Sequence, residues 1–266
     1  MYNSQLSIKS CNFAHQKRFV QRMINKPNTS IQMIADYEGD IKNLFEFQAE
    51  GEIPILATRN LVLFPGVMTP ILVGRPASIN LINKLKKNPD IIFAIFCQKN
   101  PEIDEPGKKD LYNYGVYAKI VRVLEMPGPD NNITAIVQGL GRCSLKSITK
   151  DKPYLVGYTE NVSEILPNSK DKEFKTAIDD LRNTTAEYIN KNDDIPDESH
   201  FALSNIQNDI IAVDFICSNL PFNIDDKIKM LKADSIMERV LVTLKVLHKE
   251  IQLMQLKQSI RTKTRE

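Results

Sequence analysis

Short apolar segments, several of them alternating with polar residues, recur between residues 53 and 161 and predict β-strands. The alternation is clearest at Val116, Ala118 and Ile120, and it returns at Ile133 and Ala135, as expected for strands with one buried face. The predicted strands cover residues 53–57, 70–73, 91–96, 116–126, 133–137, 142–148 and 154–161. Segment 91–96 is apolar throughout, so we expect a central strand that is covered on both faces.

Proline and glycine mark the turns between these strands. Pro65 and Gly66 predict a tight turn, because proline fixes φ at one turn position and glycine accepts a positive φ at the next. Residues 127–131 predict the turn of a hairpin. Pro76 suits the first turn of a helix, which the following apolar spacing predicts to end before Asn88. These elements predict a mainly antiparallel, barrel-like sheet with one inserted helix.

Helical spacing replaces strand alternation in the last hundred residues. The first predicted helix carries Phe174, Ile178, Leu181 and Tyr188, the second carries Ile206, Ile210, Val213 and Cys217, the third begins near Asp225, and the fourth begins at Ser235. Ser235 and Glu238 predict a capping box at the start of the fourth helix. From Met237 to Met254 its apolar residues recur three and four positions apart, which predicts a seam against other helices.

Glycine usage divides the chain. All ten glycines lie between Gly39 and Gly157, and glycine-punctuated segments are typical of β-rich structure, whereas glycine-free ones favour helices. We therefore predict an α+β protein with a β-rich domain at 51–165 and a helical domain at 166–266 that ends in a long helix. Residues 1–50 are predicted to form a basic, partly disordered extension, with a short amphipathic helix that includes Ile34 and Phe45.

Composition and charge indicate a soluble protein without an obvious charged ligand. A formal net charge of +2 over 266 residues gives no reason to expect nucleic acid or an anionic membrane as the main partner. No apolar run reaches the roughly 18 residues that a membrane span needs. The four cysteines are far apart, which favours buried free thiols and a cytoplasmic location over disulfides or a metal site. The basic first thirty residues leave a mitochondrial matrix location as the alternative.

The stretch from Ile53 to Ile79, IPILATRNLVLFPGVMTPILVGRPASI, resembles the opening of the amino-terminal domain of Lon-type ATP-dependent proteases, whose pattern is approximately LPLRxxVLFPGxxxPLxVGRxxSI. Further matches follow in the same order at 98–99, 104–106, 110–112 and 115–116, and the family's Gly-Leu-x-Arg element corresponds to 139–142. The resemblance extends through the helical region to about residue 260. Ala57 departs from the usual proline, and Pro76-Ala77 replaces a common charged pair.

The resemblance implies a β-rich pseudo-barrel similar to the pseudouridine-synthase-associated (PUA-like) RNA-binding module, followed by a helical bundle. It also implies a role in protein quality control. In Lon-like enzymes this region helps to select unfolded or tagged proteins and to hold the hexamer together. The expected partners are therefore such substrates, the ATPase and protease modules of a parent chain, and other subunits of a hexamer. The long last helix is then expected to lead towards the ATPase module.

The sequence contains no motif for ATP hydrolysis or proteolysis. A phosphate-binding loop needs G-x-x-x-x-G-K-[ST], and no pair of glycines here has that spacing followed by lysine. The glycine-rich setting of the Lon catalytic serine is also missing, and the three histidines are far apart. We therefore predict no catalytic residue, no cofactor and no metal in this chain, and no enzymatic activity of its own.

A binding surface for unfolded proteins needs apolar side chains that stay accessible in the folded domain. The turn predicted at 65–66 suggests Phe64, Val67 and Met68 as this surface, with Arg75 and Asn80 as polar contacts. Val67 and Met68 flank the turn, so replacing both with serine is expected to weaken binding at an unchanged melting temperature. The opposite interpretation is that Leu63 and Phe64 fill the barrel core.

Two other functions stay open at this point. One is a free-standing adaptor of the same fold without any protease, which the reading frame after Glu266 would distinguish. The other is an RNA-binding module, which predicts a basic face with stacking aromatics. The near-neutral charge and the absence of tryptophan disfavour RNA.

Overall fold

The computed structural model describes residues 33–34, 44–125, 133–168, 171–192, 195 and 203–263. This part of the chain contains seven strands, five α-helices of nine or more residues and a 3-10 helix at Lys108–Asp110. The strands are β1 (Met33–Ile34), β2 (Glu52–Thr58), β3 (Val67–Val73), β4 (Phe93–Cys97), β5 (Tyr114–Glu125), β6 (Ile133–Lys150) and β7 (Leu155–Val162). The helices are α1 (Pro76–Lys87), α2 (Lys172–Asn190), α3 (Asp209–Asn219), α4 (Ile224–Lys232) and α5 (Ile236–Lys263). The described residues from Met33 onward belong to one compact unit.

Five strands close into a barrel. β2 pairs with β4 and β7, β4 pairs with β5, β5 pairs with β6, and β6 returns to β7. Only the β2–β4 pair is parallel, because the chain crosses between these strands through β3 and α1. The predicted mainly antiparallel, barrel-like sheet is confirmed. As predicted, every residue of β4 is buried.

A three-stranded arm extends the sheet beyond the barrel. The first part of β6 pairs with β3 from Met68↔Gln138 to Val73↔Ile133, while its other edge stays paired with β5. β1 adds two residues to the outer edge of β3. β6 therefore belongs to both the arm and the barrel.

Helices α2 and α3 begin where a side chain caps the first N–H groups. The carboxylate of Asp171 accepts from the backbone N–H groups of Glu173 and Phe174, and the side chain of Asn208 does the same at the start of α3. The predicted apolar face of α2 is confirmed: Phe174, Ile178, Leu181 and Tyr188 are buried. Ile206 lies before α3 rather than within it.

The capping pattern at the start of α5 differs in one detail from the prediction. The Ser235 hydroxyl accepts from the Glu238 N–H at 3.1 Å, as expected. The Glu238 carboxylate reaches the N–H of Asp234, one residue further back, at 2.8 Å. The apolar seam of α5 is buried at Ile236, Val240, Leu244, Leu247 and Ile251, and residues 252–260 are exposed except for the half-buried Met254.

Two local predictions are wrong. β6 is one strand of 18 residues, although the sequence predicted separate strands at 133–137 and 142–148. Ile34 lies in β1 instead of the predicted amphipathic helix, because it pairs with β3. The predicted hairpin turn at 127–131 and the basic segment 1–30 lie outside the described residues. The predicted domain boundary near residue 165 falls between β7 and α2, within the one compact unit.

Candidate functional site

The predicted surface at the 65–66 turn is not accessible. Phe64 and Val67 are 0% exposed and Met68 is 9% exposed, so the expectation that Val67 and Met68 remain open to a partner is wrong. The turn itself forms as predicted, with φ of +75° at Gly66. It folds inward because the Gly66 N–H donates to the Gly139 carbonyl at 3.1 Å.

Side chains from distant parts of the chain cover this turn. A Cβ atom at Gly66 would lie 3.0 Å from Leu44 Cδ2 and 3.9 Å from Ile211 Cγ1, so residues before β2 and residues of α3 pack against it. The guanidinium of Arg239 on α5 lies over the Phe64 ring. The alternative interpretation, that Leu63 and Phe64 fill the core, is confirmed, since both are buried.

The other two predicted site residues, Arg75 and Asn80, line a cleft of about 1110 Å³ at one end of the barrel. The first turns of α1 form one wall, and residues 104–108 form a second wall. The connection between β6 and β7, residues 147–155, forms the third. The structure thus separates Arg75 and Asn80 from Phe64, Val67 and Met68.

The cleft combines an apolar base with a polar rim. Its apolar lining residues are Ile55, Ala57, Ile148 and Leu155, to which Pro76, Pro106, Pro153 and Tyr154 add rigid or aromatic surface. Its charged lining residues are Arg75, Asp104, Glu105, Lys108, Lys150, Asp151 and Lys152. Both signs are present, so the charge of the rim selects neither an acidic nor a basic partner.

Arg75 holds the cleft wall in place. Its Nη1 donates to Gln98 Oε1 at 2.6 Å and to the Asp104 carbonyl at 3.3 Å, while Nη2 donates to the Ala57 carbonyl. Burial and the neighbouring charge of Arg59 lower the pKa of Arg75. Because these donors connect β2, β4 and the 104–108 segment, Arg75 supports the shape of the cleft more than it offers a free charge.

Tyr154 is the aromatic side chain of the cleft that the sequence analysis missed. It is half-buried, and Lys84 Nζ of α1 lies 5.5 Å from its ring centroid. A proline-containing connection between two predicted strands was visible in the sequence, but nothing in it showed that this connection would face the start of α1.

Within the ranges described above, no three His, Cys, Asp or Glu side chains cluster in a way that could hold a metal ion. None of the described helices is long and apolar enough to cross a membrane. The chemistry that the lining of the cleft offers is apolar contact and polar or charged hydrogen bonding.

Comparison with known proteins places this geometry in a family. Residues 52–249 match the family model described as the ATP-dependent protease La (LON) substrate-binding domain. The chain is 37% identical over 213 residues to a Lon protease of Flavobacterium johnsoniae and 38% identical over 214 residues to a Lon protease of Parabacteroides distasonis. Each alignment covers 80% of this chain but 26% of the relative, so the chain spans about a quarter of the length of the curated relatives it matches.

Solved structures give the same result at the level of the fold. The N-terminal domain of a Lon protease from the Mycobacterium avium complex is similar with a TM-score of 0.55, at 15% identity, over 74% of this chain and 98% of that chain. A Lon N-terminal domain protein from Xanthomonas campestris is similar with a TM-score of 0.50, at the same identity and coverage. The predicted fold is thereby confirmed. The chain belongs to the family of the Lon protease substrate-binding domain.

Proposed function

We propose that this chain is the substrate-recognition region of a Lon-type ATP-dependent protease, and that it binds extended segments of unfolded polypeptide in the cleft beside Arg75 and Asn80. The observation that carries the proposal is the cleft itself, a concavity of about 1110 Å³ with an apolar base in a chain whose family is defined by substrate binding. Small-ligand sites are typically at most about 1,000 Å³. The cleft lies at the upper end of that range, so it has room for the side chains of a peptide segment.

The lining favours an unfolded segment over a folded partner. Unfolded chains expose the apolar and aromatic side chains that folded proteins bury, and Ile148 and Tyr154 offer them partly exposed apolar surface. The mixed charges around the cleft supply polar contacts without demanding one net charge in the ligand. The buried residues Phe64, Val67 and Met68 stay candidates only for contacts that follow a local opening of the domain.

The experiment is a binding titration of the full 266-residue chain with fluorescein-labelled casein as the unfolded probe. Ala77→Glu places a charged side chain in the cleft wall at an exposed position in the first turn of α1, where an acidic residue suits the helix dipole. We expect the Kd to rise at least fivefold without loss of thermal stability. An unchanged Kd for this variant rejects the cleft as the binding site.

A matched control separates the effect of position from that of charge. Gln252→Glu adds the same charge to an exposed position of α5, far along the chain from the cleft. We expect its Kd to stay within twofold of the unaltered protein. An equal loss of binding in both variants means that net charge, and not the cleft, governs the interaction with casein.

We further propose that ATP hydrolysis and peptide cleavage reside in modules outside this chain, with which it assembles in a hexamer. The matched relatives are about four times longer than the aligned region, which leaves room for such modules. Purified chain is then expected to leave ATP and casein intact, and detectable turnover of either one contradicts the proposal. A cytoplasmic location, with the mitochondrial matrix as the alternative, stays a prediction.

A further inference from the structure

Four charged side chains meet at the junction between the barrel and the helices. They are Arg142 on β6, Glu164 after β7, Asp214 on α3 and Arg239 on α5, and each side chain is at most 1% exposed. Arg239 Nη1 donates to Asp214 Oδ1 at 2.5 Å, and its Nη2 donates to Glu164 Oε1. Arg142 Nε lies 3.6 Å from the same oxygen of Glu164. This set is called the junction cluster below.

The two arginines of the junction cluster also bind backbone carbonyls shortly before α5 begins. Arg142 Nη1 donates to the carbonyls of Leu231 and Ala233, and its Nη2 donates to that of Ser163. Arg239 Nε donates to the carbonyl of Met230 at 3.0 Å. Both guanidinium groups therefore bind the last turn of α4, and Arg142 also binds the residue after it, so we infer that the attachment of α5 to the barrel depends on the charge state of the cluster.

Only one oxygen of each carboxylate in the junction cluster accepts a hydrogen bond. Asp214 Oδ2 and Glu164 Oε2 are buried and have no hydrogen-bond partner, and Arg142 Nε has none either. An ionised carboxylate needs several donors when it is removed from water, and an incomplete set makes its charged form costly. Protonation removes this cost, and it is easier at Asp214, since Glu164 contacts both arginines and Asp214 is paired only with Arg239.

We propose that Asp214 is the proton-binding group of the junction cluster, and that its ionisation loosens the attachment of α5 to the barrel. This device concerns the fold itself and does not depend on the proposed substrate cleft. The titratable groups that face Asp214 are Arg239, Glu164, Arg142 and the thiol of Cys217. Beyond these groups, the charge of Asp234 works to raise the pKa of Arg142. The charge of Lys227 works to lower the pKa of Cys217.

The direction of the pH effect follows from proton linkage. Burial raises the pKa of Asp214 from 3.8 to about 7, with the charge of Glu164 adding to the rise and that of Arg239 opposing it. Between these two pH values the folded protein therefore binds more protons than the unfolded chain at this residue, and stability falls as the pH rises through the window. Well above pH 7 the stability that the proton on Asp214 contributes to the folded protein has been lost.

Hydrogen–deuterium exchange of the full chain tests the proposal. After correction for the intrinsic exchange rate, we expect the protection of peptides from the first three turns of α5 to fall about tenfold between pH 6 and pH 8. In Asp214→Asn this pH dependence is expected to vanish, because the amide cannot ionise. The same dependence in the variant, or none in the unaltered protein, overturns the proposal.

Asp226→Asn is the matched control. Asp226 on α4 is also largely buried, but it accepts from Lys229 and Asn223, and these contacts outweigh burial and lower the pKa of its carboxyl group. It is therefore ionised throughout the range from pH 6 to pH 8, and we expect this variant to keep the pH dependence of the unaltered protein. Loss of the dependence in Asp226→Asn assigns the effect to α4 and overturns the role of Asp214.

A direct titration covers the case in which Asp214→Asn does not fold. Carbon-13 NMR of aspartate carboxyl groups in the unaltered protein is expected to show one resonance with a midpoint near pH 7. If every aspartate of the folded protein titrates below pH 5, the proposal is wrong whatever the variant does.

Discussion

The guanidinium carbon of Arg239 lies 5.8 Å from the centroid of the Phe64 ring. This contact joins the connection between β2 and β3 to α5, although 175 positions separate the two residues. Because the same guanidinium also pairs with Asp214 and Glu164, one side chain links the barrel, α3 and α5. The connection that the sequence suggested as a binding surface is thus part of the core that attaches the helices to the sheet.

Phe64→Ala is expected to lower the free energy of unfolding by about 3 to 5 kcal/mol, because it removes a fully buried ring and leaves a cavity. Urea denaturation followed by circular dichroism measures the change. Leu72→Ala is the control, since Leu72 is 69% exposed, and it should cost less than about 1 kcal/mol. A loss below 1 kcal/mol at Phe64 would show that the ring is not in the core.

Replacing both Val67 and Met68 with serine is expected to destabilise the protein by about 2 to 4 kcal/mol, since both side chains are buried. This reverses the expectation from the sequence, which placed them on the surface. The melting temperature of the double variant, compared with that of the unaltered protein, measures this loss of stability. A melting temperature equal to that of the unaltered protein would restore the sequence-based hypothesis.

Gly139→Ala is expected to destabilise the fold, because the added Cβ would lie 2.2 Å from the Phe64 carbonyl oxygen. Backbone atoms cannot move aside as the end of a flexible side chain can, so we expect a cost of about 1 to 3 kcal/mol. Gly107→Ala is the control, because its nearest atom is 3.7 Å away. Equal unfolding curves for the two variants would rule out the close approach of the Phe64 backbone.

The thiols of Cys97, Cys143 and Cys217 are buried and free, and burial is the main cause that raises their pKa values, for Cys217 to about 12. Since the thiolate is the reactive form, alkylation by iodoacetamide at pH 8 should be at least about 100-fold slower in the folded protein than in urea. Mass spectrometry of a Cys11→Ser variant, which leaves only these three cysteines, measures the rates. Rapid labelling of any of them in the folded state would contradict its burial.

Much of the fold could be predicted because its signals are local. Strand alternation at Val116 to Ile120, the proline that starts α1 and the apolar face of α2 depend only on neighbouring residues. The glycines of β6 were misleading for a physical reason. Gly139 and Gly141 lie between the two segments that the sequence predicted as separate strands, yet they belong to one strand, at the places where the carbonyls of Phe64 and Phe47 come close. Glycine was required there for space and not for a turn.

The site was harder to predict because its walls come from distant segments. Arg75 and Asn80 were predicted as polar contacts of the surface at the 65–66 turn, but their neighbours in the cleft, such as Tyr154, follow more than seventy residues later. The turn at Gly66 is covered by Leu44, Ile211 and Arg239. These residues are distant in the sequence, so the residues next to Gly66 could not predict that the turn would be buried. The junction cluster was missed for the same reason, since its four members come from four different elements.

The double role of β6 limits how this region can change during evolution. Side chains on a strand alternate between two faces, so inserting or deleting one residue would exchange the interior and exterior positions of everything beyond it. Over Ile133–Gln138 the strand pairs with β3 on one edge and with β5 on the other, so such a change there would disturb two neighbours at once. Homologous sequences should therefore align across Ile133–Gln138 without gaps, whereas length differences should accumulate in the connections and at the register shifts that β6 carries after Gly139.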